Sequence, residues 1–297
     1  MTAALHGLLV IDKPGGLTSR DVVDRVQPWF PPRTRIGHTG TVDPLATGVL
    51  VLCVGAATRL TEYVQRMEKV YEIRVQLGAR SDTDDADGVV AMQSQMGEPP
   101  DRSTIERYLQ GFLGETEQVP PIYSAARVAG RRAYDLARRG REVDLKPRKV
   151  TIHAIEVLAY DYPALGLRVR CGKGTYMRSL ARDLGDQLGC GAYVAALRRT
   201  RIGPFNATNA LSLEIDGTVA RTRLLPLVAA VAELPRLMLP VGELMRLRQG
   251  QPVTTTDFSG DLKPGQEVAV FDEARRLAAI AKIEGQGRLT SVKVLNC

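Results

Sequence analysis

The sequence predicts an α+β protein with a second, smaller β-rich unit at its C-terminal end. Three observations lead there. Stretches of two-residue and four-residue apolar period are mixed along the chain, without the strict strand–helix alternation of a doubly wound parallel sheet. No internal repeat or low-complexity tract interrupts them. Beyond about residue 235 the texture changes to short apolar runs between glycine, aspartate and charged turns. The 297 residues are enough for one large domain and one small one.

In chain order, Thr18 and Ser19 ahead of Val22, Val23 and Val26 form the pattern of a capped amphipathic helix. Asp43 followed by Pro44 has the form of a helix N-cap with proline at the first helical position. From Val70 to Leu77 the chain alternates, with Tyr71, Ile73, Val75 and Leu77 on one face and Glu72, Arg74 and Gln76 on the other. That is a strand. Ser103-Thr-Ile-Glu106 reads as a capping box opening a helix through Leu109. Leu167, Val169 and Cys171 alternate with Arg168 and Arg170 in a second strand, which Gly172 and Gly174 end. Leu180, Leu184 and Leu188 mark a helix that Gly189 stops. Glu267–Phe271, Leu277–Ile283 and Leu289–Leu295 are the C-terminal strands, and a boundary near Leu234–Pro240 divides the chain into domains 1–234 and 235–297.

Composition excludes several functions. Hydrophobic residues make up 44% and charged residues 25%, ordinary for a globular chain with a core. The longest unbroken apolar run, Val49 to Val54, is far shorter than the roughly 18–20 residues of a membrane span. Met1 to Lys13 lacks a basic segment before its short apolar stretch, so it does not read as a signal peptide, and the cytoplasm is the expected compartment. Cys53, Cys171, Cys190 and Cys297 are scattered, and the three histidines are His6, His38 and His153. Reduced thiols are expected, with no metal centre. The net charge is +7, which suits a polyanionic partner. Basic charge concentrates at 127, 131, 132, 138, 139, 141, 146, 148 and 149, against Asp135, Glu142 and Asp144. This density fits a phosphate-tracking arm as well as a solvated face.

The most unusual stretch is Gly37-His-Thr-Gly-Thr-Val-Asp43-Pro-Leu-Ala-Thr-Gly48. It is not a phosphate-binding loop, since no Gly-Lys-Ser/Thr follows its glycines. Spacing alone leaves Asp43 either a helix cap or a reactive carboxylate, and His38 a loop residue. The acidic stretch Ser81-Asp-Thr-Asp-Asp85-Ala-Asp-Gly88 lacks the ligand spacing of a calcium loop and reads as a solvated turn.

Arg35 to Leu50, which holds the Asp43 segment, resembles the catalytic motif of the TruB family, bacterial synthases that convert a uridine in the tRNA T-loop, position 55, to pseudouridine. Other signatures follow in the family's order: Leu9-Val-Ile-Asp-Lys13 through Ser19; Lys69-Val-Tyr71 leading into Leu77-Gly78; Pro120-Pro-Ile-Tyr-Ser-Ala125 with Gly130 to Tyr134; Cys171-Gly-Lys173-Gly-Thr-Tyr176-Met-Arg178; and Leu197-Arg-Arg199. The likeness spans residues 8–210. Val42, Gly172 and Arg127 depart from the usual residues without removing a charge or ring that the mechanism uses.

The resemblance implies a catalytic domain with a mixed, largely antiparallel sheet flanked by helices, plus a small PUA-like RNA-binding domain. It implies uridine isomerisation without a cofactor, by base flipping, on the T-arm stem-loop of tRNA, by a monomer that also assists tRNA folding. It makes Asp43 the catalytic aspartate and Arg178 its ion partner. Tyr71 then packs on the flipped base, Tyr176 and Leu197 wall the uridine pocket, and His38 supports the RNA where the base has left. Lys13 and Lys173 are assigned positioning. Two other classes remain: a non-catalytic RNA-binding protein, and a glycosidase, which would want two facing carboxylates where this segment supplies one.

Overall fold

Two-sided burial explains the apolar run Val49–Val54. In β3 (Thr47–Val54), Leu50, Leu52 and Val54 enter one core while Val49, Val51 and Cys53 enter another. Its neighbour β1 (Gly7–Lys13) divides in the same way, so neither strand shows alternation. The computed structural model describes residues 5–93, 98–124, 126–128, 130–137, 139–140, 143–254 and 263–295.

Helix α1 (Ser19–Val26) begins where the sequence predicts, with Thr18 and Asp21 capping each other reciprocally and Val22, Val23 and Val26 buried. Strand β2 (Ile36–His38) pairs with β3. No helix follows Asp43. Its carbonyl accepts from the Ala46 amide at 3.0 Å, and the chain bends directly into β3. The helix-cap reading of Asp43–Pro44 is therefore overturned, and the Asp43 side chain is left free for another partner.

Helix α2 (Thr61–Arg66) leads into β4 (Lys69–Leu77), which alternates as predicted. A hairpin of β5 (Ala79–Ser81) and β6 (Val90–Met92) follows. Helix α3 (Arg102–Gln110) is capped by Asp101, which accepts from the Thr104 amide, rather than by the Ser103 box. The Asp101 carboxylate reaches the Thr104 amide at 2.7 Å, so the helix is capped two residues earlier than the sequence pattern suggests. Next come β7 (Gly114–Gln118), the small β8 (Arg127–Val128) and β9 (Arg131–Arg132) hairpin, and α4 (Ala133–Ala137).

Within the basic arm, Arg131, Arg139, Lys146, Arg148 and Lys149 are exposed, while Arg138, Arg141 and Glu142 lie outside the described residues. Strands β10 (Arg148–Asp161) and β11 (Ala164–Cys171), helix α5 (Met177–Gln187), β12 (Ala192–Ile202) and β13 (Phe205–Asn206) complete this half.

The large sheet runs β1-β3-β12-β4-β11-β10-β7, with β2 and β13 paired at its side. Only β3 and β12 are parallel, so the sheet is mixed and largely antiparallel. Helices α1, α3 and α5 supply residues to the core on one face. After α6 (Gly217–Thr222), residues 236–294 build a second sheet from β14 (Arg236–Met238), β15 (Val253–Thr254), β16 (Glu267–Phe271), β17 (Leu277–Glu284) and β18 (Arg288–Val294), with α7 (Val241–Arg248) beside it. Ala269, Phe271, Ile280 and Leu295 share a core with β1 and β3, so the two sheets are packed together. Among the described residues no helix is long and apolar enough to cross a membrane.

The close approach of the parallel strands depends on glycine. Gly48 has φ of +99°, and a Cβ there would stand 2.2 Å from the Arg199 carbonyl oxygen. Gly48→Ala is expected to cost about 3 kcal/mol through strain and separation of β3 from β12. A denaturant midpoint equal to wild type would show that the strands need no such closeness.

Candidate active site

Strand register aligns the site. Tyr71 on β4 faces Arg199 on β12, Arg199 faces Gly48 on β3, and Leu197 faces Ile73. Directly opposed residues share a face of the sheet, here the face under the helices. The turn before β3 and the loop before α5 close over this row and leave a cleft of about 430 Å³. Asp43, Tyr71, Tyr176, Arg178 and Leu197 all line it, with Lys69, Lys173 and Arg199. His38 ends β2 opposite Leu52, and the lining starts one residue later at Thr39.

The Asp43 turn is gripped from behind by the N-terminal motif. The Lys13 side chain is fully buried, and its ammonium donates to the carbonyls of Pro14, Leu17 and Pro44 at 2.9, 2.7 and 3.2 Å. Burial lowers its pKa to about 8, with the Asp43 charge opposing the fall. Gly16 also donates to the Pro44 carbonyl, and the Ser19 hydroxyl accepts from the Val42 amide at 2.9 Å. A sequence reading could assign Lys13 only to positioning; the fold shows which turn it holds.

Arg178 is the hub. Its side chain is 4% exposed, and its Nη2 donates to Asp43 Oδ1 at 2.9 Å and to the Tyr123 carbonyl at 2.9 Å. Its Nη1 donates to the Thr83 carbonyl at 3.0 Å and pairs with Asp85 Oδ2 at 3.2 Å. Asp85, its side chain 5% exposed, also accepts from the Thr83 hydroxyl at 2.6 Å and from the Asp87 amide at 3.1 Å. One helical turn later, Arg182 pairs with Asp84 at 2.9 Å.

The acidic stretch Ser81–Gly88 is thus not a solvated turn. Its two central aspartates bind two arginines of α5, and its backbone bonds to Val194 of β12. Sequence reasoning missed Asp84 and Asp85 because their partners lie about a hundred residues away. The available signal was a dense acidic cluster in a basic chain, matched by Arg178 and Arg182 at helical spacing.

Burial raises the Asp43 pKa above its ordinary value, and Arg178 opposes the rise. Burial likewise raises Tyr71, with Arg199 opposing. Tyr176 is fixed through its backbone, whose amide and carbonyl both bond to the Gln118 side chain at 2.8 and 3.0 Å. The arrangement is one cleft-lining carboxylate, charge-balanced by a buried guanidinium, in a cleft wide enough for a flat ring with an aromatic wall.

Residues 30–177 match the N-terminal domain of the TruB family of pseudouridylate synthases, and residues 178–246 match the C-terminal domain of tRNA pseudouridylate synthase B. A tRNA pseudouridine synthase B from Rhodospirillum rubrum is 44% identical over 99% of this chain and 97% of its own length. The chain belongs to the TruB family.

A second such enzyme, from Dehalococcoides mccartyi, is 41% identical over 98% of this chain and 96% of its own. Among solved structures, a Cbf5-Nop10-Gar1 complex matches with a TM-score of 0.74 at 25% identity, over 98% of this chain and 84% of that one. An H/ACA RNP bound to a substrate RNA containing 2′-deoxyuridine matches with the same TM-score at 24% identity, over 98% and 85%, and shares the fold. TruB membership makes the protein a pseudouridine synthase, an isomerase that modifies tRNA.

Proposed function

We propose that this TruB-family member converts uridine 55 in the T-loop of tRNA to pseudouridine, with Asp43 as the catalytic carboxylate. The observation that carries this reading is the Asp43–Arg178 pair at 2.9 Å in a cleft that also presents Tyr71 and Leu197. The target base leaves its stack at a cost of a few kcal/mol, and stacking on Tyr71 returns roughly 1–3 kcal/mol. Tyr176 and Leu197 bound the ring, and His38 supports the RNA at the vacated position. Asp43 then acts beside the sugar as the N1–C1′ bond breaks, the uracil turns and C5 joins C1′. Residues 1–234 form the catalytic domain, and residues 235–297 form the PUA-like domain that steadies the tRNA. The protein acts as a cytoplasmic monomer and assists tRNA folding as it binds.

The test is release of tritium from C5-labelled uridine in T-arm RNA. Release at position 55 supports the reading. Binding without release would favour a non-catalytic RNA-binding protein that keeps the scaffold.

The basic arm neutralises backbone phosphates in this reading. Replacing Arg131, Arg139, Lys146 and Arg148 by glutamine is expected to weaken binding and to flatten its dependence on salt. Each phosphate that is no longer neutralised lowers the log–log slope by roughly 0.7–0.9. An unchanged slope would remove the arm from the RNA interface.

A further inference from the structure

We propose that Arg199 is a catalytic residue that stabilises the negative charge gathered on the uracil ring when the N1–C1′ bond breaks. The proposal rests on the reading of the Asp43 cleft as a uridine site. Arg199 is 3% exposed, lines the cleft and lies opposite Tyr71 in the sheet. Its Nε donates to the Val49 carbonyl at 2.8 Å and its guanidinium sits beside the Tyr71 hydroxyl, while its Nη2 is buried with no hydrogen bond of normal length and angle among the described residues. None of the described carboxylates forms an ion pair with it.

A buried guanidinium with an idle donor is costly unless something else answers it. Two further cations deepen the puzzle. Lys13 and Lys69 are buried nearby and, among the described residues, donate only to backbone carbonyls. Asp43, the acid among the cleft-lining residues, is already engaged by Arg178. The floor beneath Tyr71 therefore carries excess positive charge, in surroundings where charge acts strongly. Thr39 lines the same cleft, and its Oγ1 is another buried atom without a partner among the described residues.

An anion that forms inside the cleft fits this floor better than a phosphate. Lys173, exposed in the cleft lining, is placed to meet a phosphate, whereas Arg199 is buried beside the ring walls Tyr71 and Leu197. Preorganised donors are most effective where charge develops during reaction. When the N1–C1′ bond breaks, its electron pair leaves with the uracil, whose ring and carbonyl oxygens then hold one negative charge. Asp43 meets the electron-poor sugar, by bonding to C1′ or by taking the neighbouring C2′ proton. The C1′–C5 bond then forms from the uracil anion as the Asp43–C1′ bond breaks or as Asp43 returns the proton to C2′; C5 loses a proton and N1 gains one. Arg199 stays a cation throughout.

The test compares Arg199→Gln and Arg199→Lys with wild type in single-turnover reactions on T-arm RNA, and on the same RNA carrying 5-fluorouridine at the target. The rate followed on both is loss of the N-linked target nucleoside after digestion of the RNA, because C5 of 5-fluorouridine has no proton to release. Fluorine at C5 withdraws electrons, so that ring carries its charge with less help. Arg199→Gln is expected to slow uridine isomerisation about 100-fold or more with RNA affinity and salt slope unchanged, and Arg199→Lys to stay within about tenfold of wild type. On 5-fluorouridine the loss in Arg199→Gln shrinks to less than about tenfold.

Equal losses on both substrates would overturn the proposal in favour of a structural role. A reduced salt slope would overturn it in favour of a phosphate-binding role, and an unchanged rate would overturn it outright. Should Arg199→Gln fail to fold, as a melting curve reveals, the residual defect of Arg199→Lys must itself shrink on 5-fluorouridine. A wild-type protein inactive on T-arm RNA would instead overturn the assignment of the cleft.

Discussion

Asp43→Asn is expected to abolish pseudouridine formation while tRNA still binds. Asparagine has the same shape, and its amide oxygen can still accept from Arg178, so the cleft keeps its walls. What disappears is the negative charge and the ability to bond to, or take a proton from, the sugar. Loss of a group in that role costs at least roughly 10³-fold in rate. Tritium release in single turnover measures the first effect, and filter binding measures the second. Activity within about tenfold of wild type would remove Asp43 from the chemistry.

The raised pKa of Asp43 sets two further signs. The carboxylate must be ionised to act, so the acid limb of the wild-type rate lies above the pH at which an ordinary aspartate titrates. An acid with a raised folded pKa favours folding only while protonated, and that contribution is lost as pH rises past the raised value. At neutral pH the Asp43 charge therefore opposes folding, and Asp43→Asn should melt no lower than wild type.

Arg178→Met is expected to have the largest effect on stability. The guanidinium neutralises Asp85, whose side chain is 5% exposed, and also binds Asp43 and two backbone carbonyls. Methionine fills much of the same volume but leaves a buried carboxylate unpaired. Breaking a buried pair in this way costs roughly 3–5 kcal/mol. Adding Asp85→Asn removes the stranded charge, so the double variant should be more stable than Arg178→Met alone. Urea denaturation of both single variants and the double variant measures this coupling. Strictly additive losses would show that Arg178 and Asp85 do not act as a unit. Turnover should fall in both variants that lack Arg178, because the same guanidinium holds Asp43.

Much of this protein was legible from periodicity. The strand Lys69–Leu77, the helix starting after Thr18 and the C-terminal strands follow two-residue or helical patterns that need only local chemistry. Buried centres were harder to read, because β1 and β3 are covered on both faces and lose alternation. The α3 cap differed by a local choice between neighbouring caps; the two larger differences had one physical source. Asp43 was compatible with a helix cap, and the acidic turn with solvation, because short sequences do not reveal distant partners.

The chain by itself determined an α+β architecture, a cation-rich surface and a set of motifs whose order points to one carboxylate. Those properties depend on residue type and short-range spacing, which sequence records directly. Only the tertiary structure decided that Asp43 bends into a strand instead of opening a helix, and that Lys13 and Ser19 hold its turn. It also decided that Asp85 and Asp43 share Arg178, and that Arg199 stands opposite Tyr71 with an idle donor. Each of these joins residues far apart in the chain, and pairing at that range is set by strand register and packing.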